Sequence, residues 1–275
     1  MYNNVMSNKI LIVGTGKVGS VLAVTLDRLP EYRISHLYNR NWKKAERLCK
    51  LLSNCSVTDN IKEILQEVDT IFITVPDREI KPVYDGIYSH LKAGQILVHC
   101  SGALGSDVFD KTTDAVSIHP NFSFSSTFPP KLLPGGIYFG IEGRGKGLPF
   151  AEELIKALKG KPIHISTEEK PLYHLSAVIA ANFTLAMLDI SRYIYGNIDI
   201  NEETWKKVAL PLVRSVLKNI ENSSIEDAIT GPIARGEKDV VKREGKALKA
   251  IDPELYNIYE KVNELLYEIA AKKNK

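Results

Sequence analysis

Gly14, Gly16 and Gly19, in the run Gly14-Thr15-Gly16-Lys17-Val18-Gly19, have the types and spacing of a phosphate-binding turn. Each glycine has a separate physical job there. Gly14 allows a tight turn, Gly16 lets the backbone approach a pyrophosphate, and Gly19 lets a helix pack on a strand. A helix beginning at this point offers free N–H groups and a partial positive charge to phosphates. The spacing alone is weak, but the apolar run Lys9–Val13 before it reads as a strand. The helical pattern of Val18, Val21, Leu22 and Leu29 after it completes the context. A dinucleotide site at Gly14 to Gly19 is therefore expected; a purely structural glycine turn is the alternative.

The end of the second strand bears on which dinucleotide. An Asp or Glu about 20 residues past the glycines would bond a ribose 2′-hydroxyl. The residues here are Asn39-Arg40, with Lys43 and Lys44 beyond. No carboxylate repels a 2′-phosphate, and an arginine can grip one and stack on adenine, so NADP(H) is expected over NAD(H). Lys43 and Lys44 also fit a solvated helix start. Thr74-Val75-Pro76-Asp77 and His99-Cys100-Ser101-Gly102 lie at predicted strand ends, where ligands of open α/β sheets bind. Val75, Pro76, Ser101 and Gly102 are therefore expected to flank ribose and nicotinamide, unless they are ordinary strand-to-loop punctuation.

Hydride transfer to a carbonyl or imine also needs a proton donor, and histidine suits that role near neutral pH. His119 follows a predicted strand end and should point into the cleft; its other reading is a backbone bond that shapes the loop before Pro120. On the long apolar helix that follows, His174 and Asn182 are two turns apart and can share a face. Asn182 would orient substrate or cofactor amide, or form a helix–helix hydrogen bond. His174 on so apolar a helix also reads as structural. Arg235, in Gly231-Pro232-Ile233-Ala234-Arg235-Gly236, can hold a carboxylate bidentately, or sit at a surface or dimer interface.

The elements that must position these residues are legible in the pattern. Strands are expected at Lys9–Val13, Arg33–Tyr38, Ser56–Thr58, Thr70–Val75, Gln95–Cys100 and Val116–His119, with helices at 41–52, 60–67 and 81–91 between them. That alternation means βαβ units and a parallel sheet. Gly136–Ile141, a helix at 150–158 and Pro162–Ser166 add edge elements. After Thr167 no strand signal remains. A long helix over Leu172–Tyr195, a second capped by Asn201 and containing Pro211, and starts at Ser224 and Asp252-Pro253 are expected. The stretch between His174 and Asp189 falls short of a membrane span and reads as a buried helix. The fold class is thus an α/β Rossmann domain, a doubly wound and mostly parallel sheet, over residues 1–167, followed by an all-α domain over 168–275. The loop Phe122–Gly136 should lie near the cleft.

The 275 residues, 44% hydrophobic and 25% charged with net charge +3, describe an ordinary globular chain. Cys49, Cys55 and Cys100 have neither CxxC spacing nor histidine partners, so neither a disulfide framework nor a metal site is expected. The polar start from Met1 to Asn8 shows no signal peptide, and a cytoplasmic setting fits. The Lys-rich tail, Lys272–Lys275, reads as a solvated end, so no nucleic-acid partner is expected.

The glycine loop, Asn39-Arg40 and Val75-Pro76 resemble the 6-phosphogluconate-dehydrogenase-like superfamily. Pyrroline-5-carboxylate reductase, ketopantoate reductase, β-hydroxyacid dehydrogenases and prephenate dehydrogenase belong to that group. Across nearly the whole chain, His99 to Gly102, Ser117-Ile118-His119-Pro120, Tyr173-His174, Ala181-Asn182-Phe183 and Thr230 to Gly236 resemble a bacterial family described as NADP oxidoreductases. Its helical half is catalogued as a domain of unknown function. The resemblance implies NADP(H) binding and a homodimer built through the helical domain. Ser101 with His119-Pro120 is similar to the Ser and His-Pro placement of prephenate dehydrogenases, where the histidine polarises the substrate hydroxyl; this makes His119 the first acid/base candidate with Ser101 as helper. β-Hydroxyacid dehydrogenases carry a catalytic lysine four residues before the matching asparagine, but Val178 stands there. The expected activity is an NADP(H)-dependent oxidoreductase on a small, acidic carbonyl, imine or hydroxy acid. A dinucleotide-binding sensor without chemistry and a prephenate-like dehydrogenase are the alternatives.

Overall fold

The structure is a computed structural model that describes residues 7–273. The first six residues of the polar lead-in and the last two of the Lys-rich tail lie outside them. The chain divides into two compact units, one ending at Ile179 and the other beginning at Ala180.

The first unit is built on one eight-stranded sheet in the order β3-β2-β1-β4-β5-β6-β7-β8. The strands are β1 (Asn8–Val13), β2 (Tyr32–Tyr38), β3 (Ser56–Val57), β4 (Thr70–Ile73), β5 (Ile96–His99), β6 (Ala115–Pro120), β7 (Tyr138–Arg144) and β8 (Lys161–His164). β3 to β6 run parallel through β1, β7 is antiparallel to β6, and β8 is parallel to β7. Strand order reverses on either side of β1, the doubly wound pattern in which a crevice opens beyond the carboxyl ends of the strands. The expected α/β Rossmann architecture is present, and the edge elements after Gly136 form the far side of the sheet.

Strand alternation divides the core into two layers. Ile10 and Ile12 of β1 join Phe72 and Val98 on one face, packed by α1 (Lys17–Leu26), α2 (Trp42–Cys49) and α5 (Gly147–Ala157). Leu11 and Val13 join Ile71, Ile73 and Leu97 on the other, against α3 (Ile61–Ile64) and α4 (Asp77–Ile87). The central strands are apolar on both faces because helices cover both. α4 begins at Asp77, four residues before the expected Lys81. β4 ends at Ile73 and Pro76 caps the helix, while Asp77 and Glu79 place negative charge in its first turn.

α6 (Lys170–Val178) closes the first unit. It continues through a π-helical turn at Ile179–Phe183 into α7 (Thr184–Gly196). The second unit is helical throughout: α8 (Glu202–Asn222) runs on through Pro211 and is followed by α9 (Ile225–Ala228), α10 (Gly231–Ala234), α11 (Lys238–Ile251) and α12 (Pro253–Lys273). Asn201 caps α8 by accepting from the Thr204 N–H, and Ser224 caps α9.

One expectation is overturned here. The helix over Lys170–Gly196 spans 27 residues with mean hydropathy 1.4, and none of its most apolar window is buried. By length and composition it could cross a membrane. Leu172, Ile179, Phe183 and Leu185 stand 48–73% exposed. An apolar pattern shows that a face wants cover; it does not say that the same chain provides it.

Gly19 illustrates how tightly the turn after β1 is set. A Cβ there would fall 2.1 Å from the Gly14 carbonyl oxygen and 2.4 Å from Thr74 Oγ1, whereas a Cβ on Gly16 meets nothing within 4 Å. Gly19→Ala should therefore cost about 1–3 kcal/mol in denaturant unfolding, because backbone must move. Gly16→Ala should unfold close to wild type. Equal destabilisation of the two variants would contradict this packing.

Candidate functional site

Two clusters line the carboxyl edge of the sheet in the first unit. The first is the glycine turn. Gly14 has φ +100°, a left-handed conformation only glycine adopts without strain. A Cβ on it would strike the Thr74 carbonyl at 2.8 Å. Thr74 Oγ1 donates to the Gly14 oxygen at 2.6 Å, so β4 clamps the turn. Gly16 caps α1 with no side chain bonding the first N–H groups, which leaves those of Lys17 and Val18 to a ligand. Asn39 Nδ2 donates to Thr15 Oγ1 at 2.7 Å, and Asn39 Oδ1 accepts from the Asn41 N–H at 2.8 Å. The asparagine thus ties the end of β2 to the loop.

A cavity of about 220 Å³ opens between these parts, walled by Gly14, Gly16, Asn39, Arg40, Val75 and Pro76. The Arg40 side chain is 75% exposed and lies 3.7 Å from Glu79, a long and solvated pair. Lys43 and Lys44 are exposed on the first turn of α2. The open space over Gly16 and the uncapped helix start fit the pyrophosphate of a dinucleotide, and Glu79 also lines the cavity, beside Arg40.

The second cluster forms where β5, β6 and β7 meet α6. Alternation along β6 puts Ser117 and His119 on one face, opposite Glu142 and Gly140 of β7. Lys170, Tyr173 and His174, one turn of α6, descend onto that face. Lys170 is fully buried; its Nζ donates to Ser117 Oγ at 2.7 Å and to the Ser101 carbonyl at 3.2 Å. Burial brings Lys170 down to about 8, while the nearby carboxylates of Glu142 and Asp77 hold it up. It remains mostly protonated at neutral pH.

His119 Nδ1 lies 3.2 Å from the Tyr173 hydroxyl, and Asn121 Nδ2 donates to that hydroxyl at 2.6 Å. The His119 ring meets those of Tyr173 and His174 edge-on, at 5.6 and 5.5 Å. Burial, then the charges of His174 and Lys170, push His119 down to about 4. It is a neutral imidazole at pH 7. Burial raises Tyr173, and hydrogen bonding from Asn121 and from the Gly140 backbone works the other way. His174 Nδ1 is enclosed with no hydrogen-bond partner among the described residues. Gly102 is the contact point of both imidazoles: a Cβ on it would lie 2.3 Å from His174 Nδ1 and 2.9 Å from His119 Nε2.

Ser101, Gly102, His119 and His174 are therefore brought together. Ser101 has a full set of partners. Its Oγ donates to Asp77 at 2.7 Å and accepts from the N–H groups of Ala103 and Leu104 at 3.2 and 3.0 Å. A hydroxyl has one proton and two lone pairs, so none is left over. His99, buried on β5, accepts from the Ser101 N–H and donates to the Gly105 carbonyl, and burial takes it down to about 3. Asn182 and Arg235 belong to the second unit. Asn182 is exposed within the π turn. Arg235 Nε and Nη2 both bond Glu237 at 2.8 Å, and the side chain is 60% exposed.

Sequence reasoning passed over Lys170, Asn121 and Gly140, and named Ser117 only within the motif of the family resemblance. Gly140 within a strand is the signal that could have led to them, because a strand glycine marks a close approach. A Cβ there would lie 2.3 Å from the Tyr173 hydroxyl.

Residues 4–120 match a Rossmann-like domain, and residues 137–265 match a domain of unknown function (DUF2520). Protein TM1727 from Thermotoga maritima is 32% identical over 97% of this chain and 100% of that one, with a TM-score of 0.76. Protein BF3122 from Bacteroides fragilis, provisionally named an NADP oxidoreductase, has a TM-score of 0.81 at 21% identity, over 96% of this chain and 100% of its own. That likeness is one of fold. A glycerol-3-phosphate dehydrogenase [NAD(P)+] from Fusobacterium nucleatum is 27% identical over 123 residues, 39% of this chain. The match spans only 35% of that relative's length.

The histidine environments set a pH window. Their folded values lie below the ordinary 6.5, so between about 4 and 6.5 the unfolded chain binds more protons than the folded one. Their contribution to stability is full above 6.5 and is lost as pH falls. Thermal melts from pH 7 to 4 should show wild type losing more stability than His119→Gln. Parallel losses would show that His119 is not held neutral.

Proposed function

The chain belongs to the family that joins a Rossmann-like domain to the domain of unknown function DUF2520, and from that premise we propose that it is an NADP(H)-dependent oxidoreductase. The observation that carries this reading is the pairing on one sheet edge of an open glycine cradle with a neutral His119. The provisional naming of BF3122 and the cofactor in the name of the Fusobacterium relative agree with it. The phosphates would rest on the N–H groups of Lys17 and Val18, with Asn39 and Arg40 toward the adenosine 2′-phosphate and Val75 and Pro76 beside the ribose. The bound nicotinamide supplies or removes hydride.

The substrate is a small carbonyl, imine or hydroxy acid whose oxygen or nitrogen meets His119. Ser101 shapes the turn that carries Gly102 toward His119, since its hydroxyl is fully engaged. Arg235, the residue expected to hold a carboxylate, is already paired with Glu237, an exposed and inexpensive pair to break. The exposed apolar residues Leu212, Val216 and Ile220, at i, i+4 and i+8 of α8, form the face through which a second copy would pack. Asp189 and Arg192 pair within α7, charge that a bilayer would penalise, which favours protein over lipid as the cover.

Calorimetry should show NADPH binding at least about tenfold tighter than NADH, as one charge-assisted contact warrants, with Arg40→Ala erasing the difference. Equal affinities in wild type would sink the argument from Asn39-Arg40. His119→Ala should keep NADPH affinity and abolish NADPH oxidation across a panel of oxo acids, ketones and cyclic imines. If wild type turns over none of them, a dinucleotide sensor becomes the better reading. Light scattering should give about twice the 30.7 kDa chain mass; a monomer at micromolar concentration would refute the α8 interface.

A further inference from the structure

The tautomer of His119 follows from the hydrogen bonds around Tyr173. Asn121 Nδ2 donates to the Tyr173 oxygen at 2.6 Å, so that contact cannot take the phenol proton. The other side-chain partner of the hydroxyl is His119 Nδ1, at 3.2 Å. All three groups are satisfied only if Tyr173 donates to Nδ1. A neutral ring that accepts at Nδ1 carries its own proton on Nε2. Nε2 is the nitrogen beside Gly102, and it has no protein partner among the described residues.

We propose that Tyr173 is a positioning residue: by donating to Nδ1 it fixes His119 as an Nε2–H donor, and during turnover it refills the ring with a proton at Nδ1 as Nε2 gives its own up. The second half of this statement rests on the oxidoreductase reading. As hydride reaches the substrate carbonyl carbon, its oxygen takes the proton from Nε2 and the N–H electron pair stays on the ring. The Tyr173 O–H bond breaks and its proton moves to Nδ1. The ring stays neutral throughout, now as the Nδ1–H tautomer, and the Tyr173 phenolate is held by Asn121. A proton from water then restores the starting state. In an imine substrate the nitrogen takes the place of the oxygen.

The groups that face His119 favour this arrangement over a protonated imidazole. Lys170 and His174 both disfavour positive charge on the ring. Lys170 arrives from the same helix turn as Tyr173, and its ammonium is anchored on Ser117 and the Ser101 carbonyl. Gly140, opposite His119 on β7, leaves the space that the Tyr173 hydroxyl fills. A side chain at that position would move the phenol off Nδ1.

The test is a long-range proton–nitrogen correlation spectrum of the full-length, nitrogen-15-labelled protein at pH 7. The His119 ring should show protonated Nε2 and bare Nδ1, with no cofactor or substrate present. Tyr173→Phe should lose the single-tautomer pattern while still melting in one cooperative transition. An Nδ1–H tautomer or an imidazolium in wild type overturns the proposal, and that measurement stands even if the variant fails to fold. So does a Tyr173→Phe spectrum with the wild-type pattern. With a substrate in hand, Tyr173→Phe should lower kcat about tenfold or more with NADPH affinity unchanged; an unchanged kcat overturns the refilling step. An Nε2–H ring in a protein that turns over no carbonyl or imine would instead defeat the oxidoreductase reading and leave the Tyr173–His119 hydrogen bond intact.

Discussion

The approach of Tyr173 to β7 is the constraint on which the polar cluster depends. Gly140 has no side chain, and the hydroxyl of Tyr173 occupies the space where one would stand. That places the phenol between His119 and Asn121, at opposite ends of the Pro120 turn out of β6. The same helix turn then delivers Lys170 one turn earlier and His174 one residue later. Three side chains at i, i+3 and i+4 share a face, so one docking event fixes all three. Gly102 plays the matching part on the β5 side, where its bare Cα lets both imidazoles close in.

The charges in this cluster are divided between groups that keep them and groups that do not. Lys170 is fully buried yet retains its proton at neutral pH because Glu142 and Asp77 face it. Glu142 is itself held, accepting from the N–H and hydroxyl of Ser106. The lysine's field, with burial, makes protonation of His119 costly. A cation that stays and an imidazole that remains neutral are thus two consequences of one placement. A neutral imidazole presents one N–H and one lone pair, whereas an imidazolium would present two N–H groups and leave Tyr173 without an acceptor.

Much of the first unit was legible because period-two and helical patterns repeat there with clear punctuation. The glycine turn could be read position by position, since each glycine answers a steric demand that no other residue meets. Asn39 and Arg40 could be placed at the cradle because the distance from Gly19 is set by one helix and one strand. Ser101, Gly102 and His119 could be placed at strand ends for the same reason. Lys170, Asn121 and Gly140 could not, because their roles arise from β7 turning antiparallel to β6 and from α6 landing across both. Sequence spacing carries no record of such a landing. The chemistry of Ser101 was also out of reach. A serine at a strand end looks available until its three partners, Asp77 and the N–H groups of Ala103 and Leu104, are counted.

The long apolar helix shows why composition alone misjudged burial. Its first turn is anchored in the first unit by Lys170 and Tyr173, while its later residues are exposed and apolar. Apolar exposure begins before the π turn, at Leu172 and Leu175, and continues past it; the turn itself, Ile179–Phe183, marks the division between the two units. One inserted residue rotates everything downstream by about 100° relative to a continuous α-helix. Asn182 lies inside that turn, where the wider winding loosens the regular i→i+4 bonding of the backbone.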